Sequence, residues 1–537
     1  MKKLATLLLA AGLVLSAVSG ASAIDFKAKG LWAIQFDYGG NSRATGGNNG
    51  TGYNQRGNGG LDQFDSQQRV RLQLEAVASE ALSGTAWFEM NSQWGNGGSG
   101  SLGADRNIVV VKGAWLDWTP PNTDLKIRMG LQPLAMPSFT GAASVFDDDV
   151  AAVTFNYKFN DNVSLTALWA RPYNDNGVDT NAGYGNRGSN ASYLDNVDVG
   201  ALLLPLTFDG VKVTPWVMLG AIGPNFASSA TARSWVRDDD VTGHWAFATA
   251  DQLGGAPGNA INRVAEGMLP VGGARHKDGT RTGTVQHAYA TAFWAGLTGE
   301  VTAFDPFRFA WDVNYGSSSW PDDGSLNRAG WLASLLFEYK LDWGIPGLYG
   351  WYGSGDDSDP SNGSERMAVF DYNGNNQFSD FAFNGSPSIV TPREGVVSTN
   401  MAGTWGVGIR LKDFSFVEDL KHTLRVNYIG GTNSPDFARK YLSGGGRGYT
   451  AFGNGFNSTR GTFGNMYLTK LDSAVEFGLR TDYKVYDNLN IYLDANYLLM
   501  SINEDVWEGA SFNGGTGNDK RTVRDPWNLQ LGFVYSF

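Results

Sequence analysis

The sequence contains no cysteine and, beyond its first residues, no long uninterrupted apolar run. Without cysteine there is no disulfide framework, no thiolate ligand and no thiol nucleophile, so a large exported chain has to be held by backbone pairing and packing. Without about 18 consecutive apolar residues there is no transmembrane helix. A long pattern of apolar residues spaced three and four apart is also missing, which argues against a helical architecture.

Catalytic signatures are scarce as well. The four histidines are scattered along the chain at His244, His276, His287 and His422. No serine stands in a nucleophile elbow, and neither metalloprotease nor Walker-type spacings occur. We therefore do not expect an enzyme or a required cofactor. The formal net charge of −12 argues against nucleic acid as a partner.

The N-terminus has the three parts of a secretory signal. Lys2 and Lys3 precede an apolar stretch from Leu4 to about Val18, and the small-x-small sequence Ala21-Ser22-Ala23 follows. An N-terminal membrane anchor is the alternative, but the stretch is short for a span. We expect residues 1–23 to be a signal peptide and residues 24–537 to form one exported domain, because no Pro-rich, Ser-rich or charged linker divides them.

What the sequence does have is alternation of apolar and polar residues with a period of two. In the final stretch, WNLQLGFVYSF, one parity carries large apolar side chains and the other is polar or small, with Val534 as the exception. The same pattern recurs in FKAKGLWAIQFDY, in RVRLQLEA and in LKIRMGLQ. A period of two is that of a strand with one apolar and one polar face. About eighteen such segments occur, most of roughly the ten-residue length of tilted barrel strands.

The connections between these segments alternate between short and long. The short ones contain the residues that hairpin turns need, and they lie at Ser79–Gly84, Pro120–Thr123, Asn160–Asn162, Asp209–Gly210, Asp305–Pro306, Gly344–Gly347, Phe414–Leu420 and Asp487–Asn488. The long ones are glycine-rich and polar, for example Gly39–Gln63, Gly223–Gln286, Ser354–Asn400 and Gly431–Thr469. A soluble β-sandwich would not show such alternation, whereas an outer-membrane barrel has short periplasmic turns and long outer loops.

The sequence therefore predicts an all-β fold, a transmembrane antiparallel β-barrel of about 18 strands with long extracellular loops. Barrel closure satisfies every backbone group within the hydrocarbon. The apolar parity is expected to face lipid and the polar parity to line the lumen. Aromatic residues near the inferred strand ends should form the interfacial girdles: Trp32, Tyr38, Trp118, Trp343, Tyr349, Tyr497, Trp527 and Tyr535.

Three stretches resemble the trimeric outer-membrane porins of Gram-negative bacteria, most closely the large homotrimeric porins of sulfate-reducing bacteria. Asp65–Trp94 looks like their second and third strands, Lys126–Leu134 like the fifth strand leading into the constriction loop, and LGFVYSF like the closing strand. The resemblance implies a homotrimer in the outer membrane, in contact with lipid and lipopolysaccharide. It implies one inward-folded constriction loop, and recognition of the final Phe537 by the barrel-assembly machinery. The best-known general porins have sixteen strands, so 16 strands are the alternative.

The resemblance places the constriction loop at Pro133–Val150. Acidic residues in this stretch are Asp147, Asp148 and Asp149. Basic residues on the lumen-facing parity of nearby strands are Lys29, Arg69, Arg71 and Arg128. Acids on an inward loop facing bases on the wall would create a transverse field that selects small polar solutes. Alternatively the aspartates are a solvated loop end, and Glu75 and Glu89 make the bases less isolated. The acidic balance predicts weak cation preference unless the arginines dominate the narrowest section.

A calcium loop is a second candidate site, in DYNGNNQFSD. Oxygen ligands in calcium-loop positions are Asp371, Asn373, Asn375 and Ser379, with Asp380 or Glu365 as a substitute for the absent acidic last ligand. The alternative is a solvated Asn/Gly-rich turn.

The function expected from this pattern is a water-filled channel for passive diffusion of small hydrophilic solutes and ions. The first alternative is a substrate-specific channel, favoured by the very long Gly223–Gln286 connection, in which Asn259–Leu269 would form a short helix. The second alternative is a surface-binding or structural barrel whose lumen is closed by folded loops.

Overall fold

The fold is described from a computed structural model of the chain. The described residues are 24–40, 63–95, 101–102, 109–142, 145–173, 196–224, 267–270, 288–370, 376–383, 397, 400–442, 467–507 and 525–537. The predicted signal peptide, 1–23, lies outside these residues.

Antiparallel strands make up almost all of the regular structure. They are β1 Asp25–Gly40, β2 Gln63–Ser79, β3 Leu82–Gln93, β4 Val109–Trp118, β5 Lys126–Ala135, β6 Asp147–Lys158, β7 Ser164–Tyr173, β8 Val197–Leu203, β9 Leu206–Phe208, β10 Val211–Ile222, β11 Ala290–Val301, β12 Phe307–Ser319, β13 Arg328–Tyr339, β14 Ile345–Gly353, β15 Thr404–Val417, β16 Leu420–Gly431, β17 Ser473–Tyr486, β18 Leu489–Ser501 and β19 Trp527–Ser536. Short helical turns lie at Gly324–Leu326, Pro435–Phe437, Ala438–Leu442 and Glu504–Trp507. No helix in the described part of the chain is long and apolar enough to cross a membrane.

The sheet closes on itself because β1 pairs with both β2 and β19. Each strand otherwise pairs with its neighbours in sequence. Both β8 and β9 pair with β10, so they are two parts of one barrel strand interrupted at Leu204 and Pro205. The barrel therefore has eighteen strands, which confirms the predicted architecture over the sixteen-stranded alternative.

The eight predicted short turns all join neighbouring strands at one end of the barrel. Three of them need a positive backbone φ, at Asn122 (61°), Gly210 (66°) and Asp419 (61°). Glycine adopts it freely, and Asn and Asp are among the better-tolerated other residues. The bounds of several turns differ from the prediction; for example, only Glu80 and Ala81 separate β2 from β3. β15 continues to Val417 with two register shifts, so the turn is Glu418–Asp419 rather than Phe414–Leu420.

The outer surface of the barrel carries the apolar parity. Exposed aromatic side chains at the short-turn end include Trp118, Tyr157, Phe208, Phe307, Trp343 and Tyr535. Those at the long-loop end include Tyr38, Phe64, Trp94, Trp169, Trp331, Tyr352, Trp405 and Tyr497. Two aromatic belts around an apolar band are the exterior of a barrel that stands in a bilayer. The girdle assignment of Tyr349 is wrong, because its side chain is 2% exposed and lies inside the barrel.

The largest apolar cluster lies inside the barrel. From β8 to β14 the inward parity is largely apolar, with Val197, Val199, Met218, Trp294 and Tyr349 buried there. Inward-folded loop residues pack against them, including Phe146, Phe370, Phe378, Phe381 and Phe383. The expectation that polar side chains line the whole lumen is therefore wrong on this side. The reason is that the wall there faces folded chain rather than water.

Candidate channel lumen

The connection between β5 and β6 folds across the barrel interior. It is shorter than predicted, because Asp147, Asp148 and Asp149 belong to β6 and pair with Ala135, Leu134 and Pro133. We call its described residues, 136–142 and 145–146, the first inward loop. The three aspartates thus lie at a strand end beside the loop rather than on it, because the strand pairing of β5 with β6 continues three residues further than the apolar alternation indicated.

Asp312 on β12 anchors the tip of the first inward loop to the far wall. Its side chain is 0% exposed. It accepts hydrogen bonds from Phe139 N (2.9 Å), Thr140 N (3.2 Å) and Ser138 Oγ (2.6 Å), and from the Thr140 and Thr298 hydroxyls. Hydrogen bonds to a charged acceptor contribute about 1.5–3 kcal/mol each. A carboxylate in this position therefore holds the loop inside the lumen.

A second inward loop, residues 376–383, is held by Glu476 on β17. This carboxylate is 1% exposed. It accepts hydrogen bonds from Ser379 Oγ (2.9 Å), Phe381 N (2.8 Å) and Ala382 N (3.0 Å). Nearby, the Phe378 carbonyl accepts from Asn427 Nδ2 (2.7 Å) and from the Tyr349 hydroxyl (3.1 Å). The sequence did not identify Glu476, although its position on the inward parity of β17 was readable.

The two inward loops touch each other. Gln377 N donates to Gly141 O (2.8 Å), and Asn376 Nδ2 donates to Ala142 O (3.4 Å). Gly141 has φ 71°, and a Cβ there would meet the Gln377 side chain. A glycine at this position therefore permits both the left-handed turn and the close approach.

A cluster of charged side chains on the wall contacts both loops from the short-turn side. Glu338 on β13 pairs with Arg308 (2.7 Å) and Arg410 (2.7 Å). Arg308 also donates to Phe139 O (2.8 Å) of the first loop, and Arg410 donates to Gln377 O (3.0 Å) of the second. Gly347 lies between Glu338 and Arg410 in the sheet, and its missing side chain leaves room for them to meet.

A third segment completes the filling. Residues 267–270 enter the barrel, where Arg328 donates to Leu269 O (3.2 Å) and Ser318 donates to Met268 O (2.9 Å). Gly267 and Met268 are helical, at the end of the short helix that the sequence predicted. The rest of that segment, 259–266, lies outside the described residues.

The predicted wall bases all lie on the lumen-facing parity, and three of them have acidic partners. Arg71 pairs with Glu89 (2.6 Å), and Arg69 donates to Asn91 (2.8 Å) and lies 3.5 Å from Glu89. Arg128 pairs with Asp117 (2.7 Å). Lys29 is exposed on the short-turn side of β1. Arg69 and Arg71 therefore share one carboxylate, whereas Arg128 has a carboxylate of its own.

Of the predicted acids, Asp149 makes a described ion pair, with Lys112. Lys112 also lies over the ring of Trp87 (4.9 Å), as Arg71 does on β2 (5.5 Å). Lys112 was not among the predicted residues because it occupies a bulge in β4, where the alternation breaks. The ion pairs of Arg71, Arg128 and Asp149 all lie on the wall formed by β2 to β6. The role of the three aspartates at a constriction stays a prediction.

The predicted calcium ligands are only partly described. Asp371, Asn373 and Asn375 lie outside the described residues. Ser379 donates to Glu476, and Asp380 pairs with Arg425. In the described part of the chain no three His, Cys, Asp or Glu side chains are grouped as metal ligands.

Charge on the lumen wall differs from that of the whole chain. Bases on the inward parity include Lys27, Lys29, Arg69, Arg71, Lys126, Arg128, Lys212, Arg308, Arg328, Arg410, Lys412, Lys421, Arg425, Arg480 and Lys484. Acids on it include Asp25, Asp37, Glu75, Glu89, Asp117, Asp148, Glu300, Asp312, Glu338, Glu476, Asp482 and Asp494. Bases outnumber acids on the strands that enclose the lumen, although the chain has a net charge of −12.

No protein-family model matches the chain, and no curated protein matches it. Among solved structures, the chain is similar to OccK9 (OpdG) of Pseudomonas aeruginosa, at 10% identity and TM-score 0.47, covering 95% of this chain and 98% of that one. It is similar to OccAB3 of Acinetobacter baumannii, at 9% identity and TM-score 0.46, covering 95% and 99%. It is also similar to the outer membrane protein OpdK of P. aeruginosa, at 10% identity and TM-score 0.42, covering 95% and 98%. Similarity at this level assigns neither a substrate nor an assembly to this chain.

Proposed function

We propose that the protein is an outer-membrane channel through which small hydrophilic solutes and ions diffuse. The main observation that supports this proposal is that inward loops fill one side of the barrel more than the other. The wall formed by β8 to β17 is covered by inward loops, whereas the wall formed by β2 to β5 keeps charged side chains in contact with solvent. The side chains of Arg69, Arg71 and Arg128 are 19%, 24% and 37% exposed. Charged, hydrated side chains beside a filled half of a barrel favour a narrow aqueous passage along this wall.

The direct test is conductance of the purified, folded protein in a planar bilayer. Stepwise openings of constant size support the channel. The closed-barrel alternative draws support from the apolar cluster inside the barrel, and it predicts no steps from protein that has folded correctly. Solute-dependent, saturable block of the steps would favour the substrate-specific alternative over general diffusion.

Ion preference follows from the wall rather than from the whole chain. The sequence suggested weak cation preference, but bases exceed acids on the lumen-facing strands, and Lys27 and Lys29 are exposed at the short-turn mouth. Fixed charges close to the passage set the local counter-ion concentration. We infer a preference for anions, which the reversal potential in a salt gradient tests by its sign.

The assembly is proposed from the porin resemblance alone. A homotrimer embedded in lipid and lipopolysaccharide, with Phe537 recognised during insertion, is what that resemblance implies. The trimer is tested by measuring the mass of the detergent-extracted, unheated protein. The mass of a single chain would refute the trimer and leave the channel proposal unchanged.

A further inference from the structure

The two inward loops are fastened to the wall in the same way. Each loop offers backbone N–H groups to one buried carboxylate, Asp312 for the first loop and Glu476 for the second. Each also offers one carbonyl to a wall arginine, Arg308 or Arg410. Because a buried N–H group that loses its charged acceptor is left without compensation for its desolvation, neither loop would keep its position without its carboxylate.

The fastenings are also connected to one another. Glu338 bridges the two arginines, and the loops contact each other directly through Gln377 and Gly141. A displacement of one loop would therefore remove contacts of the other. Packed arrangements of this kind shift between discrete states rather than deforming gradually.

We propose that Asp312 and Glu476 are positioning residues that set the width of the passage, and that the two inward loops form one cooperative plug. This inference rests on the proposed channel function and deepens it. The plug fills the β8 to β17 side, so its position determines how much of the cross-section remains beside Arg69 and Arg71. Loss of either carboxylate releases both loops, because the second loop depends on the first for part of its contacts.

The experiment compares single-channel conductance and the size limit for neutral polymers in the full-length wild type, Asp312→Ala, Glu476→Ala and the double variant. Glu75→Ala is the matched control. Glu75 faces the lumen on β2, and its substitution removes one negative charge, as the test variants do. Glu476→Gln tests shape, because an amide oxygen still accepts the loop N–H groups. Heat-modifiable electrophoretic mobility verifies that every variant has folded as a barrel.

We expect conductance to rise roughly 1.5-fold or more in each alanine variant, since it follows the open cross-section, and to change little in Glu75→Ala. Glu476→Gln should lie nearer to wild type than Glu476→Ala, because it keeps an oxygen for the loop N–H groups and loses the bond that Asn427 Nδ2 donates to Oε2. The rise in conductance of the double variant should be smaller than the sum of the rises in the two single variants, because the effects of coupled sites are not additive. Conductance equal to wild type in folded Asp312→Ala and Glu476→Ala overturns the inference while the channel function stands.

The absence of native cysteine permits an independent readout. Ala382 is fully buried in the second loop, so Ala382→Cys should react slowly with a charged thiol reagent, and faster when combined with Asp312→Ala, although Asp312 does not touch residue 382. Equal labelling rates would refute the coupling between loops. If the wild type conducts no current but the alanine variants do, the plug inference stands and the open-channel proposal fails. If no folded form conducts, both fail.

Discussion

Gly30 lies beneath the ring of the terminal residue, Phe537. The two residues exchange backbone hydrogen bonds, Gly30 N to Phe537 O (2.8 Å) and Phe537 N to Gly30 O (3.0 Å). A Cβ on Gly30 would lie 2.7 Å from Phe537 Cζ and closer still to Arg71 O. The first strand therefore carries no side chain at the place where the last aromatic ring closes the barrel.

Barrel closure should consequently fail when this space is filled. We expect Gly30→Val to reduce the folded, heat-modifiable fraction severalfold, because both backbone and ring would have to shift. Gly84→Ala on β3 is the control, since a Cβ there meets nothing within 4 Å. The measurement is the folded fraction recovered in membranes. Normal folding of Gly30→Val would show that closure tolerates a displaced Phe537.

The mouth lysines should control part of the ion preference. Lys29 is exposed on the lumen-facing side of β1, so Lys29→Glu should shift the reversal potential toward cations. The shift should be larger at about 0.1 M salt than at about 1 M, since the Debye length falls from about 10 Å to about 3 Å. A shift that is insensitive to salt, or of opposite sign, would place control of selectivity elsewhere.

The loop that follows β14 should be more stable at acidic pH. Burial, and then the nearby Asp356 and Asp357, raise the pKa of Glu365 above its ordinary value. Because the folded pKa is raised, the protonated carboxyl is favoured in the folded loop. Stability is then fully present below the ordinary pKa and is lost as the pH rises through the raised one. The intrinsic rate of amide exchange is base-catalysed, so the test compares protection factors, which correct for it: those of residues 354–370 should be higher at pH 4 than at pH 7.5.

Glu365→Gln isolates this contribution. The amide still accepts from Asp357 N, which donates to Glu365 Oε2 at 2.8 Å, but it carries no charge. Exchange in the variant should be slower than in wild type at pH 7.5 and equal to it at pH 4. The same difference between the proteins at both pH values would mean that titration of Glu365 does not govern the loop.

Any calcium bound by the predicted loop should bind weakly. Two of the five predicted ligands are engaged elsewhere, Ser379 with Glu476 and Asp380 with Arg425. We expect stabilisation against thermal unfolding only at calcium concentrations of about 1 mM or above, the weak end of protein sites. Asp371→Asn should abolish that increment. An unfolding midpoint raised by micromolar calcium would show that the ligands rearrange around the ion.

The barrel architecture could be predicted from the sequence alone. Alternation with a period of two, as in Trp527 to Phe537, together with turns such as Asp487–Asn488, is a local property, and it sets strand number, strand order and the outward face. Backbone pairing in lipid leaves no other β solution than closure. The predicted inward parity of Arg69, Arg71 and Arg128 followed from the same rule.

The segments that fill the lumen could not be predicted from the sequence and were found in the tertiary structure. Tyr349 alternates like a girdle residue, yet it faces inward, because a loop about 30 residues away along the chain supplies Phe378 as its packing partner, with ring centroids 4.2 Å apart. Asp312 and Glu476 are single acids on inward parities, and nothing local distinguishes them from Glu75. Their importance comes from loop N–H groups that reach them from residues 172 and 95 positions away in the chain. Such contacts depend on the path of long loops through the barrel, and a period-two pattern carries no record of that path.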